Sequence, residues 1–382
     1  MALSDFKASA DRRTGTGSGV APAKRFILLV SRLWAWVFLG LMIAFFVVAV
    51  PLWSGGGVNF LTVRNSQNIL VAITPVLLLG LGQTFVIISA GIDLSVGWVM
   101  SLASVLSALA IRAAFNAGVP LFFSVVIGFA AAVVGSGFVG LINGAIIAKL
   151  KVPAFIVTLG TSFIVRGVAL LMSENTTVIG LPEGIRAYGN ESLVYSIRGE
   201  GGGLYFLSPP ELTGEMLRRM DRILPYPVLI TAVVVIIAMF LLRKTQFGRH
   251  TYAIGGNMAA AIRTGIPVDR HIIMLYILSA VTAGIAGVLS TLRFTAGSAV
   301  IGDSLLLSSI AAVIIGGVSL FGGAGTVIGT VIGALIIAVL TTGLVMLNVD
   351  SFWQFIVVGV VVIVAVLIDQ SRELIGGRAR GG

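Results

Sequence analysis

The chain has 382 residues, of which 57% are apolar and only 10% charged, with a mean hydropathy of +1.08. Soluble domains carry roughly 45–50% apolar and roughly 25% charged residues, so an ordinary soluble fold is excluded. The absence of cysteine removes disulfide scaffolds, thiol nucleophiles and Cys-ligated metals, and the net charge of +10 makes its distribution along the chain the next question.

Residues 1–32 are polar, basic and rich in Gly, Ser and Thr, and read as a disordered cytoplasmic tail. The apolar stretch after them is too long for a typical signal peptide and reads as an uncleaved signal anchor. Crossing the hydrocarbon takes roughly 20 mostly apolar residues. Ten such stretches follow in order: 33–52, 67–89, 96–114, 120–148, 153–173, 225–242, 271–292, 305–320, 324–347 and 352–368. The expected fold is all-α, a polytopic membrane protein with about ten transmembrane helices spread over 33–369, followed by a cytoplasmic tail at 370–382. Alternating segments of about ten residues, the mark of a membrane barrel, are not seen.

Two connections are long. Residues 174–224 form an extended outer loop, and residues 243–270 an inner loop carrying Arg243, Lys244, Arg249, Arg263 and Arg270. With the N-terminus in the cytoplasm, an even number of spans returns the C-terminus to the same side. Lys149, Lys151, the inner-loop residues, Arg372, Arg378 and Arg380 then all face the cytoplasm, as do the basic residues of the N-terminal tail. Topology thus accounts for the net charge, and a nucleic-acid partner is not expected.

Catalytic constellations are missing. No lysine follows a glycine, so the P-loop that binds ATP phosphates is absent. His250 and His271 stand too far apart for a zinc H-E-x-x-H, and no serine sits in G-x-S-x-G. Neither catalytic residues nor a metal site are expected. Of the ionisable residues only Arg166 lies clearly within a span, with Asp93 at a span end, which argues against a proton or sodium relay. Arg166 reads either as an anchor snorkelling toward the outer face or as a residue along a path.

The heptapeptide Gly91-Ile92-Asp93-Leu94-Ser95-Val96-Gly97 separates two apolar spans. Glycines at its ends allow tight turns, and Asp93 or Ser95 is suited to cap the following helix. Together with the preceding Gly82-Gln83-Thr84-Phe85, it resembles the signature of ribose/xylose-type permeases of ATP-binding-cassette (ABC) sugar importers. The similarity continues through Asn143-Gly144, the run 151–160 and Arg166-Gly167. It then takes in Phe247-Gly248-Arg249, the run 252–257, Gly265-Ile266, Ile310-Ala311-Ala312-Val313, Gly316-Gly317, Ser319-Leu320 and Gly322-Gly323. It covers about 33–369. The chain departs from the family pattern at Met258, Ala259 and Ile262, with Arg263 one place late, and at Leu306-Leu307-Ser308, where Glu-Leu-Asp is usual.

The resemblance implies an inner-membrane subunit that forms the translocation path for a monosaccharide or related polyol. Its implied partners are cytoplasmic ABC ATPases, which bind ATP and Mg, a periplasmic sugar-binding protein and a second permease copy in the lipid bilayer; no cofactor is expected on this chain. It also implies that the inner loop couples to the ATPase through Arg249, Tyr252, Gly255, Gly256, Asn257, Arg263 and Gly265, with the glycines permitting sharp turns. A self-contained facilitator or ion-coupled carrier is the alternative.

Gly325, Gly329 and Gly333, and likewise Ala283 and Gly287, have the four-residue spacing of small residues that lets helices cross closely. Residues 135–150 and 325–340 share a weak pattern in spans that run in opposite directions, as an inverted repeat of two five-helix halves requires. The candidate pathway-lining residues are the polar or aromatic ones within spans: Gln83, Thr84, Ser89, Asn143, Phe155, Thr158, Arg166, Ser308, Ser309 and Ser319. Such a largely neutral set suits an uncharged polyhydroxyl solute.

Overall fold

The computed structural model describes residues 22–197, 203–207, 220–350, 352–361, 363, 364 and 367, with only the backbone described for 22–33. Residues 1–21 of the expected N-terminal tail and the whole 370–382 tail lie outside this set.

Helix α1 (Pro22–Trp53) is followed by α2 (Val63–Ile88), α3 (Val96–Asn116), α4 (Leu121–Leu150) and α5 (Ala154–Met172). The outer segment then contributes α6 (Ile185–Asn190) and strands β1 (Val194–Ile197), β2 (Leu204–Phe206) and β3 (Met220–Arg222). The second half holds α7 (Tyr226–Lys244), α8 (Gln246–Gly256), α9 (Met258–Arg263), α10 (Val268–Phe294), α11 (Asp303–Ile315), α12 (Val327–Met346) and α13 (Phe352–Val361). Because α1 already begins at Pro22, residues 22–32 are helical rather than part of a disordered tail.

Among the described residues eight helices are long and apolar enough to span a bilayer: α1 to α5, α7, α10 and α12. The stretch expected as a single span at 305–320 is instead the 13-residue α11, about 20 Å long. The described helix in 352–368 is the short α13. The protein is thus a polytopic, mainly helical membrane protein whose only described sheet is a small antiparallel one, ordered β2-β1-β3, in the outer segment.

Local chemistry explains the boundaries. Prolines 120, 153, 225 and 267 stand at the N-caps of α4, α5, α7 and α10, where a missing N–H costs nothing. Thr62 and Thr326 cap α2 and α12 by accepting from the N–H groups of Asn65 (3.1 Å) and Gly329 (3.0 Å).

Glycine governs the packing between helices. Added Cβ atoms at Gly140 and Gly144 of α4 would lie 2.4 Å from Tyr276 O and 2.6 Å from Ile273 Cα, so α10 crosses almost backbone to backbone. Gly333 and Gly329 of α12 press in the same way on Ala312 and Gly316 at the end of α11, and Gly287 of α10 presses on Met100 and Ala103 of α3. Gly325 lies outside α12 altogether, at φ +152°. At the centre α2 crosses α10 where Gly82 meets Ser279.

Two breaks shape this core. After α2 the chain turns at Ala90 (φ +63°), and after α10 at Thr295 (φ +52°). Each turn leads into a non-helical segment, 89–95 or 295–302, that runs back along the protein before the next helix starts. Irregular backbone survives at membrane depth only where protein satisfies its polar groups. For the second break those groups come from α3 and the outer segment. Gly297 exchanges two hydrogen bonds with Val178, Ser298 N donates to Ser104 Oγ (3.1 Å) and Gly302 N donates to Ser101 Oγ (3.0 Å).

Candidate functional site

The two breaks end against each other. An added Cβ at Gly97, in the first turn of α3, would lie 2.5 Å from Gly302 O, and one at Gly302 would lie 1.9 Å from Gly97 O. The starts of α3 and α11 therefore meet backbone to backbone inside the protein.

Beside this junction lies a polar knot. Asp93 is buried, and its Oδ1 accepts from Ser95 N (2.9 Å) and Ser95 Oγ (2.6 Å) while Oδ2 accepts from Ser279 Oγ (2.9 Å). Asn143 Nδ2 donates to Ser95 Oγ (2.9 Å), Gln83 Nε2 to the Asp93 carbonyl, and Thr158 Oγ1 to the Ile92 carbonyl (3.3 Å). The Asp93 side chain ties α10 to the first break, and the bonds to the Asp93 and Ile92 carbonyls and to Ser95 Oγ add α2, α5 and α4. Neither expected cap forms: Ser95 occupies the N-cap position of α3 without a side-chain bond to the helix, and Asp93 instead holds the turn before it. Nor does Gly91 supply the left-handed residue, which is Ala90. At Gly91 an added Cβ would crowd Tyr276 Oη at 2.8 Å and Val86 Cγ1 at 3.1 Å.

Gln83, Thr84, Asn143 and Thr158 are thus buried in bonds between elements, Thr84 pairing with Thr330 across to α12 at 2.5 Å. Ser89 and Ser309 are buried and bond within their own turns. Ser308 reaches Ser304 O, and Ser319 accepts from Phe321 N in the loop before α12. Phe155 is exposed on α5, as is Arg166, whose guanidinium lies 4.6 Å from the ring centre of Trp98. Asp303, exposed at the first position of α11, is a charge near the junction that the expectation of a largely neutral path did not include. Ser101, Ser104, Tyr276 and Ser279 were also missed, since nothing in their sequence spacing distinguishes them from helix-packing serines and aromatics.

The inner loop folds into α8 and α9 and seats firmly. Phe247 places its ring 6.0 Å from Phe85 and 4.5 Å from His271, and Thr251 Oγ1 bonds His271 Nε2 (2.9 Å). Tyr252 Oη donates to Gly325 O (2.6 Å); burial pushes this hydroxyl above its ordinary range, partly offset by Arg243, so it stays a donor. An added Cβ at Gly255 would lie 1.7 Å from Ile88 O, the carbonyl that accepts from Gly323 N (2.8 Å). The end of α2, the end of α8 and the loop before α12 are therefore clasped at one point. Gly255 and Gly256 are helical rather than turn residues, and space around Gly256 is open; Gly265 does turn, at φ +80°. Asn257 caps α9 through Ala260 N (2.9 Å); Arg249 on α8 and Met258, Ile262 and Arg263 on α9 are exposed.

Among the described residues no group of three or more His, Cys, Asp or Glu is placed to hold a metal. The knot and the junction of the two breaks lie inside a polytopic helical membrane protein, and comparison with known proteins identifies its class as a transport permease. The family model described as branched-chain amino acid transport system / permease component matches residues 65–366. The chain is 37% identical over 348 residues to the xylose transport system permease protein of Haemophilus influenzae, covering 82% of this chain and 91% of that one. It is 37% identical over 336 residues to the ribose import permease protein of Bacillus subtilis (88% and 92% covered), and 34% identical over 329 residues to the D-allose transport system permease protein of Escherichia coli (85% and 90% covered). No solved structure matches. The chain belongs to this family of transport-system permease components.

Proposed function

We propose that this chain is the membrane permease subunit of an ABC importer and forms the path for a monosaccharide or related polyol. The observation that carries the substrate class is its similarity, over most of both chains, to permeases named for xylose, ribose and D-allose. A periplasmic binding protein delivers the solute, and cytoplasmic ATPases supply energy with their own ATP and Mg. The protein lies in the bacterial inner membrane with both termini in the cytoplasm, an orientation supported by the basic residues at Lys149, Lys151 and 243–270.

The ATPase contacts the inner loop at α8 and α9. Supporting this, Arg249 on α8 and Arg263, Met258 and Ile262 on α9 are exposed, while Gly255 and Tyr252 bind the loop to the membrane core. The path runs along the exposed face of α5 against a second copy. In support, Arg166 and Asp303 are exposed on a single copy within or beside the spans, and charge facing hydrocarbon is costly unless water or protein covers it.

The halves α1–α5 and α7, α10–α13 are related as inverted repeats. Each contains a long helix, a left-handed residue (Ala90 or Thr295), a broken segment and then a helix beginning at the junction. A second pair of left-handed residues, Lys151 and Asn348, follows α4 and α12. The experiment is uptake of labelled pentoses and hexoses into proteoliposomes holding the permease with its ATPase and binding protein. Uptake that stops when either partner or ATP is withheld supports the proposal, and uptake by the permease alone overturns it.

A further inference from the structure

The outer segment is fastened to the second break. Gly189 of α6 fits against the end of α10, where an added Cβ would lie 2.2 Å from the Leu292 carbonyl carbon. Asn190 Nδ2 donates to Arg293 O (2.8 Å), and Arg222 of β3 donates to Asn190 O (2.6 Å), joining the small sheet to the same point. Immediately beyond, Val178 N donates to Gly297 O (2.8 Å) and Gly297 N to Val178 O (2.9 Å). Segment 295–302 therefore begins in the grip of the outer segment and ends at Gly302 against Gly97.

The first break is gripped from the other face. Gly255 of the inner loop presses on Ile88 O, and Gly322 would place a Cβ 2.8 Å from the Ala90 Cβ, where segment 89–95 begins. That segment ends at the Asp93 knot and the start of α3, again at Gly97. The Gly189, Val178–Gly297, Gly255 and Gly97–Gly302 contacts are backbone against backbone, and Asn190, Arg222 and the Asp93 knot add side-chain links to the same series. Packed cores shift between discrete arrangements rather than deforming continuously.

We propose that the described outer residues 178–197, with strand β3, form a lever that carries an event on the outer face, through the second break, to the Gly97–Gly302 junction, where it meets the displacement that the inner loop delivers through the first. This rests on the reading of the chain as an importer permease, and it assigns the outer segment a role: it reports docking of the solute-loaded binding protein to the site that the ATPase also moves. The two faces act on one junction, so each biases the other, as linkage requires.

Two measurements test it. In the first, the reconstituted importer is assayed for stimulation of ATP hydrolysis by loaded binding protein. Gly189→Ala, which pries α6 off α10, should lower that stimulation at least fivefold while unstimulated hydrolysis and binding-protein capture persist. Undiminished stimulation in this variant overturns the lever. A wild-type complex that hydrolyses ATP without responding to the binding protein contradicts the importer reading instead.

The second measurement needs no partner: amide hydrogen exchange of the permease in lipid nanodiscs, wild type against Asn190→Ala. Exchange should rise several-fold at Gly297 and, across the break, at Gly302. Faster exchange at Gly297 with Gly302 unchanged would mean the fastening ends locally, and the lever is wrong.

Discussion

Gly255 and Gly256 are adjacent in the inner loop, yet a methyl group at Gly255 would overlap Ile88 O and one at Gly256 would meet nothing. Gly255→Ala must push α8 away from α2, an overpacking that costs about 1–3 kcal/mol. It is expected to leave the complex hydrolysing ATP while solute moved per ATP falls about tenfold, measured by paired uptake and phosphate-release assays. An unchanged ratio would contradict the coupling role.

Asp93 makes a different demand. Removing its side-chain oxygens leaves Ser95 N–H and the hydroxyl hydrogens of Ser95 and Ser279 without their acceptor in the interior, and each buried group left unpaired costs about 1–3 kcal/mol. Asp93→Ala should lower the melting temperature in detergent markedly, and Asp93→Asn, which keeps acceptor capacity, should lower it less; equal melting of all three proteins would contradict the knot.

The sequence marked both motifs, but not why they hold glycine. A turn and a close approach look alike in sequence, and only the fold reveals that Ala90 carries the left-handed backbone while Gly91, Gly97 and Gly255 make room for neighbours.

At the scale of elements, length and hydropathy located the long helices to within a few residues, apart from the start of α1, because roughly 20 apolar residues in lipid leave no alternative to a helix. They did not reveal the second break. Residues 295–302 are small and mostly uncharged like the helices around them, and the groups that satisfy the segment, Ser101, Ser104 and Val178, lie far away in sequence. The four-residue glycine spacing did identify crossing faces at Gly287, Gly329 and Gly333. Helix α5 offers a test of where the path runs. It buries Val157, Thr158, Ser162, Val165 and Ala169 and leaves Gly160 in open space beside the exposed Phe163 and Ile164. Gly160→Trp should therefore fold and reach the membrane like wild type while uptake drops more than tenfold. Full uptake by a well-expressed Gly160→Trp protein would remove α5 from the path.

For the molecule as a whole, the composition that first excluded a soluble fold resolves into a helical membrane core in which two broken segments meet at one glycine pair. The inner loop is fastened to one break and the outer segment to the other. The net charge of +10 is taken up by the basic segments assigned to the cytoplasm, and the scarcity of acids within the spans leaves little with which an ion gradient could drive transport. Membership of the permease family was legible from motifs at 91–97, 143–167, 247–266 and 310–323, which the family match over 65–366 encloses. The junction was not legible, since it exists only once distant residues are folded together. The most direct test of the account is sugar uptake into proteoliposomes containing the permease, its ATPase and its binding protein, with ATP and each partner withheld in turn. The account predicts accumulation against a gradient only when all are present; accumulation by the permease alone, driven by an ion gradient, would contradict it.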